Sequence, residues 1–347
     1  FILALFLQDC SPSQLAFVGS GADQPATRPE SESTKQTFTE TFVFNGTVTP
    51  LSENAITATI TPPHVAVSTT APLPGNSRAS TPVAKLNSKK GIILPDAYSF
   101  CQDLENLKVS WYYRNNIRPA DCPADDIRFV PRLSNAKVVT DEALAEAIEN
   151  ARAAGWMIGY TEPNLPWWDG KVTPREGALI WRKVEEAALP AGIKLVSPSP
   201  SQHEPGEYDD YGYTGIWAMV DAYENEFGEK PHGDAMAWNI YARRVNEVHS
   251  FLNARRHEAL DRGYDVPFWI LEYGGRCWDT DNYPTGNTEI MTEITLFLEN
   301  TPWIARYVWF ANRIKPDDPW APNWHSCTLI NPETGELTDL GKLYAAY

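Results

Sequence analysis

Residues 141–162, DEALAEAIENARAAGWMIGYTE, join a helix pattern to a strand pattern and decide the fold class. The helix pattern starts after Thr140, a good N-terminal capping residue, and stops at Gly155. Its apolar residues recur at the spacing of one helix face; they are Ala143, Leu144, Ala147, Ile148 and Ala151. The apolar run WMIGYTE (156–162) follows at once. A helix that leads directly into a buried strand is the unit of an α/β fold with a parallel sheet.

The same alternation continues along the C-terminal part of the chain. Two more helices are predicted, at 174–188 behind a Thr173/Glu176 capping box and at 242–262. Eight short runs predict strands: GIIL (91–94), VSWYY (109–113), IRFVPRL (127–133), WMIGYTE (156–162), IKLVSPS (193–199), AMAWNIY (235–241), PFWILEY (267–273) and ARYVWFA (305–311). Residues 89–347 number 259 (347 − 88), close to the ~250 of a (β/α)₈ barrel. We therefore predict a (β/α)₈ TIM barrel, with a doubly wound sheet as the alternative.

Residues 1–88 differ in composition from the rest of the chain. The apolar start FILALFLQ is too short to span a bilayer and is typical of the end of a secretory signal peptide, which predicts secretion. From residue 11 the chain is rich in Ser, Thr and Pro, which predicts a linker or arm. Two segments, 37–50 and 54–63, alternate β-branched and polar residues and could form short β segments. We expect this arm to contact the cell wall or a neighbouring chain.

Charge and aromatic content narrow the class of partner. The net charge of −16 and the pI near 4.8 argue against nucleic acid and anionic membranes, because both require a basic surface. The 13 Trp, 15 Tyr and 13 Phe supply many flat apolar faces, and those that do not fill the core suit the C–H faces of sugar rings. A carbohydrate ligand fits this composition.

The five cysteines predict disulfides rather than a metal centre. They stand at 10, 101, 122, 277 and 327, with no Cys-x-x-Cys pair and no Cys/His cluster of zinc-site spacing. Sequence proximity favours the pairs Cys101–Cys122 and Cys277–Cys327 and leaves Cys10 over. We expect neither a metal nor a cofactor.

Two glutamates stand where the active site of a barrel is found, at the C-terminal ends of the strands. Glu162 ends the fourth predicted strand in YTEPN, and Glu272 ends the seventh in WILEYGG. Both stand at the end of apolar runs, Glu272 directly after Leu271 and Glu162 after Thr161, where burial can shift a carboxyl pKa. Two carboxyl groups facing each other across a barrel mouth match glycosidic cleavage, in which one protonates the leaving oxygen and the other attacks carbon or activates water.

In the order and spacing of its motifs along the sequence, the chain resembles glycoside hydrolase family 128, whose members act on β-1,3-glucans. The motifs, which span about residues 89–347, are KKGIIL, VSWYYRN, RFVPRL, IGYTEPN, KLVSPSP, AMAWNIY, FWILEYGG and ARYVWF. The resemblance implies a retaining endo-glucanase with Glu162 as acid/base and Glu272 as nucleophile. Two motifs differ from the family pattern: Thr161 replaces the Asn that precedes the acid/base, and Asn239-Ile240-Tyr241 replaces His-Trp-Tyr on strand six.

The remaining candidate residues are predicted to bind the sugar chain. Tyr241 ends strand six and is also a candidate to orient Glu272. Trp309 ends strand eight, where the resemblance to retaining (β/α)₈ glycosidases implies an aromatic floor under the sugar. Further candidates are Trp111, Tyr113, Thr161, Asn164, Trp167, Trp168, Asn239 and Trp278. The alternative function is a glycan-binding or structural wall protein that keeps the barrel with weak or no hydrolysis. Thr161, Asn239 and the N-terminal arm motivate that alternative.

Overall fold

The computed structural model describes residues 89–122, 127–165, 170–201, 216–242, 244–275, 277, 286–318, 321 and 323–347. All of them belong to one compact unit, residues 77–347. The predictions for the signal-peptide remnant, the arm and its β segments lie outside these residues. Among the helices that are described, none is both long and apolar enough to cross a bilayer.

Eight parallel strands form the predicted barrel. They are β1 (Lys90–Ile93), β2 (Trp111–Tyr113), β3 (Arg128–Phe129), β4 (Trp156–Ile158), β5 (Lys194–Val196), β6 (Met236–Ala242), β7 (Phe268–Gly275) and β8 (Ile304–Trp309). Six pair in the order β3-β2-β1-β8-β7-β6, and β4 pairs with β5. Single bridges, Arg132 to Ile158 and Val196 to Ala235, join the two groups. Because β1 also pairs with β8, the sheet closes, which confirms the barrel over the doubly wound alternative.

Seven helices are described around the strands. They are α1 (Cys101–Asn106), α2 (Asp141–Ala151), α3 (Pro174–Ala188), α4 (Trp217–Phe227), α5 (Val245–Asp261), α6 (Gly286–Asn300) and α7 (Asp339–Ala346). The Thr140 hydroxyl caps α2, and α3 starts with the predicted capping box between Thr173 and Glu176. Helix α5 starts three residues later than predicted, because β6 continues through Ala242.

Two apolar layers flank the sheet. Inside the barrel, inward-facing residues of seven of the eight strands pack together with Val130, which follows β3; among them are Tyr113, Trp269 and Val308. The outer layer lies between the strands and the helices. This alternation requires that a side chain which reaches the active site stand on the inner face or at the end of a strand.

Cross-links hold the loops at the C-terminal end of the barrel. The structure pairs Cys101 with Cys122 and Cys277 with Cys327, at Cα separations of 5.3 and 5.6 Å, as predicted. Helix α1 is also anchored by a buried ion pair, in which the Arg313 guanidinium donates two hydrogen bonds, of 2.7 and 2.8 Å, to the Asp103 carboxylate. The loop that follows β8 is therefore fixed to α1.

Candidate active site

Glu162 lies four residues beyond β4 in an unusual backbone conformation. Its φ is +45°, in the left-handed region that non-glycine residues rarely adopt. Two backbone hydrogen bonds hold it there: Glu162 N donates to Ser199 O at 2.7 Å, and Leu165 N donates to Glu162 O at 3.2 Å. The side chain is only partly exposed. A conformation of this kind costs about 1–3 kcal/mol. The hydrogen bond to Ser199, in the loop that follows β5, and the bond from Leu165 offset this cost.

A β-bulge in β7 brings Glu272 to the inner face. Trp238 and Asn239, neighbours on β6, pair with Ile270 and Glu272, so β7 carries one extra residue at Leu271. Strict alternation would place Glu272 beside Ile270 in the outer layer. With the bulge, Leu271 packs in the barrel interior and Glu272 turns toward two polar side chains at the barrel mouth. The bulge thus aims the carboxylate, a known use of such irregularities.

Two donors hold the carboxylate of Glu272. The Tyr241 hydroxyl donates to Oε2 at 2.6 Å, which is the orienting contact predicted for Tyr241. Arg132 Nη1 donates to Oε1 at 3.3 Å, and both members of this ion pair are buried. Burial, followed by the charge of Glu272, raises the pKa of Tyr241 well above its ordinary value, so the phenol stays a donor. These contacts stabilise a negative charge on Glu272.

Glu162 has the opposite electrostatic environment. The pKa of Glu162 is raised from 4.5 to about 8. Burial is the main cause, and the charge of Glu272 is the second. The Asn239 amide donates to Glu162 Oε1 at 3.2 Å and, with the more distant Arg132, partly opposes the rise. Glu162 therefore holds its proton more firmly than a free glutamate does, which is a property that general acid catalysis requires.

Asn239 connects the two glutamates. It pairs in register with Glu272 across β6 and β7, and its side chain reaches Glu162. The side chain is 1% exposed, and its Oδ1 has no hydrogen-bond partner within the described structure. A buried acceptor of this kind needs a donor, and a sugar hydroxyl can supply one.

The candidate residues on β2 are buried inside the barrel. Tyr113 has no exposed surface, and its hydroxyl donates to Leu271 O at 2.7 Å. Trp111 also has none; its indole nitrogen donates to Lys89 O at 3.0 Å, and its ring packs 5.2 Å from Trp269. Neither side chain has a surface with which to contact a sugar, which differs from the sequence prediction.

Trp309 lies on the helix side of β8 rather than on the predicted aromatic floor. Its side chain has no exposed surface, packs in the outer layer, and donates from its indole nitrogen to Cys327 O at 2.9 Å. The next residue, Phe310, points to the mouth, where its ring lies 6.0 Å from Tyr241. Trp324 packs on both rings, 4.7 Å from Tyr241 and 5.2 Å from Phe310. Phe310 and Trp324, both partly exposed, are therefore the rings beside Tyr241 at the mouth, and Trp309 is not.

Thr161 and Asn164 use their polar atoms to join the β4 loop to the β5 loop. Ser199 Oγ bonds Thr161 Oγ1 at 3.2 Å, and the Asn164 amide both donates to Ser201 Oγ and accepts from Ser201 N. Both residues are buried, and sugar binding by either stays a prediction. Trp167, Trp168 and Trp278 lie outside the described residues.

Arg132 and Phe310 were not predicted as site residues. Arg132 stands in the quoted run RFVPRL, where an arginine in a strand pattern is a signal in itself, because buried charges need partners. Phe310 gives no such signal, since its direction depends on the local geometry at the end of β8. Among the described residues, no group of three or more His, Cys, Asp or Glu could hold a metal ion.

Comparisons with known proteins identify the family of this chain and proteins that share its fold. The family model described as glycosyl hydrolase catalytic core matches residues 92–344. A search of curated protein sequences finds no match. Among solved structures, a family 128 (subgroup II) endo-β-1,3-glucanase from Pseudomonas viridiflava is similar at 26% identity, covering 74% of this chain and 97% of its own, with a TM-score of 0.58.

Two further structures share the fold. The subgroup II endo-β-1,3-glucanase from Sorangium cellulosum is 23% identical, with coverages of 74% of this chain and 98% of its own and a TM-score of 0.58. A subgroup I enzyme from Amycolatopsis mediterranei, in complex with laminaripentaose, is 19% identical, with coverages of 75% and 99% and a TM-score of 0.59. With the family model covering most of the barrel, the chain belongs to the glycosyl hydrolase catalytic core family, and its resemblance to glycoside hydrolase family 128 is confirmed.

Proposed function

We propose that this protein is a retaining, endo-acting β-1,3-glucanase that uses Glu162 as acid/base and Glu272 as nucleophile. The observation that carries the proposal is the contrast between the two carboxyl groups. Glu162 has a pKa raised to about 8, whereas Glu272 accepts hydrogen bonds from Tyr241 and Arg132. The laminaripentaose complex of the Amycolatopsis enzyme supports the choice of substrate.

In the first step, a carboxylate oxygen of Glu272 attacks the anomeric carbon. The bond from that carbon to the glycosidic oxygen breaks, and the proton of Glu162 passes to the departing oxygen. The product is a glycosyl ester on Glu272. Esterification removes the charge of Glu272, which is the second cause of the raised pKa of Glu162. The pKa of Glu162 therefore falls once the ester has formed.

In the second step, Glu162 acts as a base. Its carboxylate takes a proton from water, the water oxygen attacks the anomeric carbon, and Glu272 leaves as a carboxylate. Tyr241 and Arg132 then stabilise the restored negative charge of Glu272 by donating hydrogen bonds to its carboxylate. This sequence retains the anomeric configuration and requires the two carboxyl groups to stand about 5–5.5 Å apart.

We further propose that the protein is secreted. The two disulfides support this, because such bonds persist in oxidising compartments. Association with a cell wall through residues 1–88 is part of the same proposal, and it can be tested by comparing wall binding of the full chain with that of a chain starting at Lys89.

The test compares the wild type with Glu162→Gln and Glu272→Gln on laminarin, curdlan and cellulose. We expect the wild type to release reducing ends from the first two as mixed oligosaccharides, and both variants to lose activity. Proton NMR of the first product should show the β anomer. Binding to laminarin without release of reducing ends would instead support a glycan-binding protein, and a first α anomer would overturn the retaining mechanism.

A further inference from the structure

We propose that Tyr113 is a positioning residue that holds the β7 bulge and thereby aims Glu272. The inference rests on the proposed function, because it concerns the geometry of the proposed nucleophile. It gives Tyr113 a role different from the sugar contact predicted from the sequence.

The bulged residue of β7, Leu271, has no register partner in either neighbouring strand. Between Ile270 and Tyr273, β7 advances three residues while β8 advances two, from Tyr307 to Trp309. That leaves Leu271 and Glu272 without register partners on β8, whereas β6 pairs with Glu272 and skips Leu271 alone. A residue without a register partner in either neighbouring strand depends more on contacts from outside the sheet for the orientation of its peptide.

The Tyr113 hydroxyl supplies that contact from the other side of the barrel. It donates to Leu271 O at 2.7 Å. Tyr113 stands on β2, which is separated from β7 by β1 and β8 in the strand order, so the bond crosses the barrel interior. Because this carbonyl belongs to the peptide that links Leu271 to Glu272, the bond fixes the peptide plane from which the Glu272 side chain starts.

The ring of Tyr113 supports Glu272 by a second route. The Arg132 guanidinium lies 4.7 Å from the centre of the ring, and Nη1 of the same group donates to Glu272 at 3.3 Å. A cation over an aromatic face is held by the ring quadrupole. Both routes act on Glu272: the Tyr113 hydroxyl orients the backbone of Glu272, and the Tyr113 ring orients Arg132, which donates to the Glu272 carboxylate.

The hydroxyl stays protonated across the pH range in which the enzyme works. Burial, followed by the charge of Glu272, raises the pKa of Tyr113 well above its ordinary value. The side chain has no exposed surface, so its effect on the reaction passes through Glu272 and Arg132 and not through the substrate.

The test removes the hydroxyl and keeps the ring. In Tyr113→Phe, we expect kcat on laminarin to fall about 10- to 100-fold through misplacement of the nucleophile, with KM nearly unchanged. The matched control is Tyr112→Phe, which alters the next residue of the same strand. Tyr112 is also buried, but it faces the helices, where its ring packs 5.2 Å from Phe129. The control should keep the wild-type kcat.

A substrate with an activated leaving group shows which glutamate is affected. In 2,4-dinitrophenyl β-laminaribioside the leaving group departs as dinitrophenolate without protonation, so its release in the first turnover depends on Glu272 and not on Glu162. We expect Tyr113→Phe to slow this release by the same factor, and Glu162→Gln to keep it. Tyr113→p-aminophenylalanine restores a donor and should recover most of the rate.

The outcomes separate the two proposals. If Glu272→Gln keeps the wild-type rate, the proposed function fails. If Glu272→Gln is inactive while Tyr113→Phe equals Tyr112→Phe in kcat and in release, only the role of Tyr113 is overturned. The same conclusion follows if Tyr113→Phe raises KM alone, or if the aminophenylalanine variant, whose fold is checked by circular dichroism, recovers no activity.

Discussion

Replacing Glu162 by glutamine should stabilise the folded protein at neutral pH and change it little at acidic pH. Burial, followed by the charge of Glu272, raises the pKa of Glu162 from 4.5 to about 8, so the folded state holds this proton more tightly than the unfolded chain does. Below pH 4.5 the carboxyl is protonated in both states. Between pH 4.5 and about 8 the unfolded chain loses the proton first, and the wild type loses about 1.4 kcal/mol of unfolding free energy per pH unit.

The size of the effect follows from this window. A pH of 7 lies 2.5 units above the lower limit of 4.5. The corresponding loss of unfolding free energy is about 3 kcal/mol. Because Glu162 is partly exposed, water screens part of this, and we expect about 2 kcal/mol. Glutamine is neutral at every pH, so the variant escapes the loss. Its side-chain oxygen can still accept the hydrogen bond from Asn239.

Denaturant unfolding of both proteins at pH 4.5, 6.0 and 7.5 measures the difference. The gain in unfolding free energy should be near zero at pH 4.5 and largest at pH 7.5. Glu333→Gln, at an exposed position of a turn, is the control and should show no such trend. An equal gain at all three pH values, or a variant less stable than the wild type at pH 7.5, would refute the electrostatic reasoning.

Three further outcomes are expected. Asn239→Ala removes the hydrogen bond that lowers the pKa of Glu162, so the alkaline limb of the kcat/KM profile should move to higher pH; a move to lower pH would contradict this. Asp103→Ala strands a buried Arg313 and should cost about 3–5 kcal/mol in thermal unfolding, part of which Asp103→Ala/Arg313→Met restores. Trp324→Ala removes a partly exposed ring at the mouth and should raise KM for laminarin about fivefold, the equivalent of about 1 kcal/mol; an unchanged KM would exclude a sugar contact.

Much of the barrel follows from local sequence patterns. The eight strand runs show in the local hydrophobic pattern, and the capped start of α2 and the capping box of α3 depend on residues three apart; the structure confirms all of them. The positions of Glu162 and Glu272 at the mouth follow from the strand count and from the rule that barrel sites form at the C-terminal ends of strands.

The details of the site depend on contacts between distant residues. Period-two alternation along FWILEYGG turns Glu272 outward, and only pairing with both β6 and β8 reveals the extra residue at Leu271. The orientation of Trp309 is likewise set by packing in the outer layer and by its bond to Cys327. The left-handed backbone of Glu162 depends on Ser199, a residue of another strand's loop. None of these contacts leaves a periodic signal in the sequence.

The two disulfides have a consequence for where this chain can fold. They close loops of 21 and 50 residues, and each restricts the unfolded ensemble by an entropy equivalent to about 3 and about 4 kcal/mol. Their sum is comparable to the whole net stability of an ordinary domain, about 5–15 kcal/mol. A thiol-reducing compartment would thus withdraw much of the driving force for folding, and enzyme made in a reducing cytosol should accumulate partly unfolded until an oxidant forms both bonds.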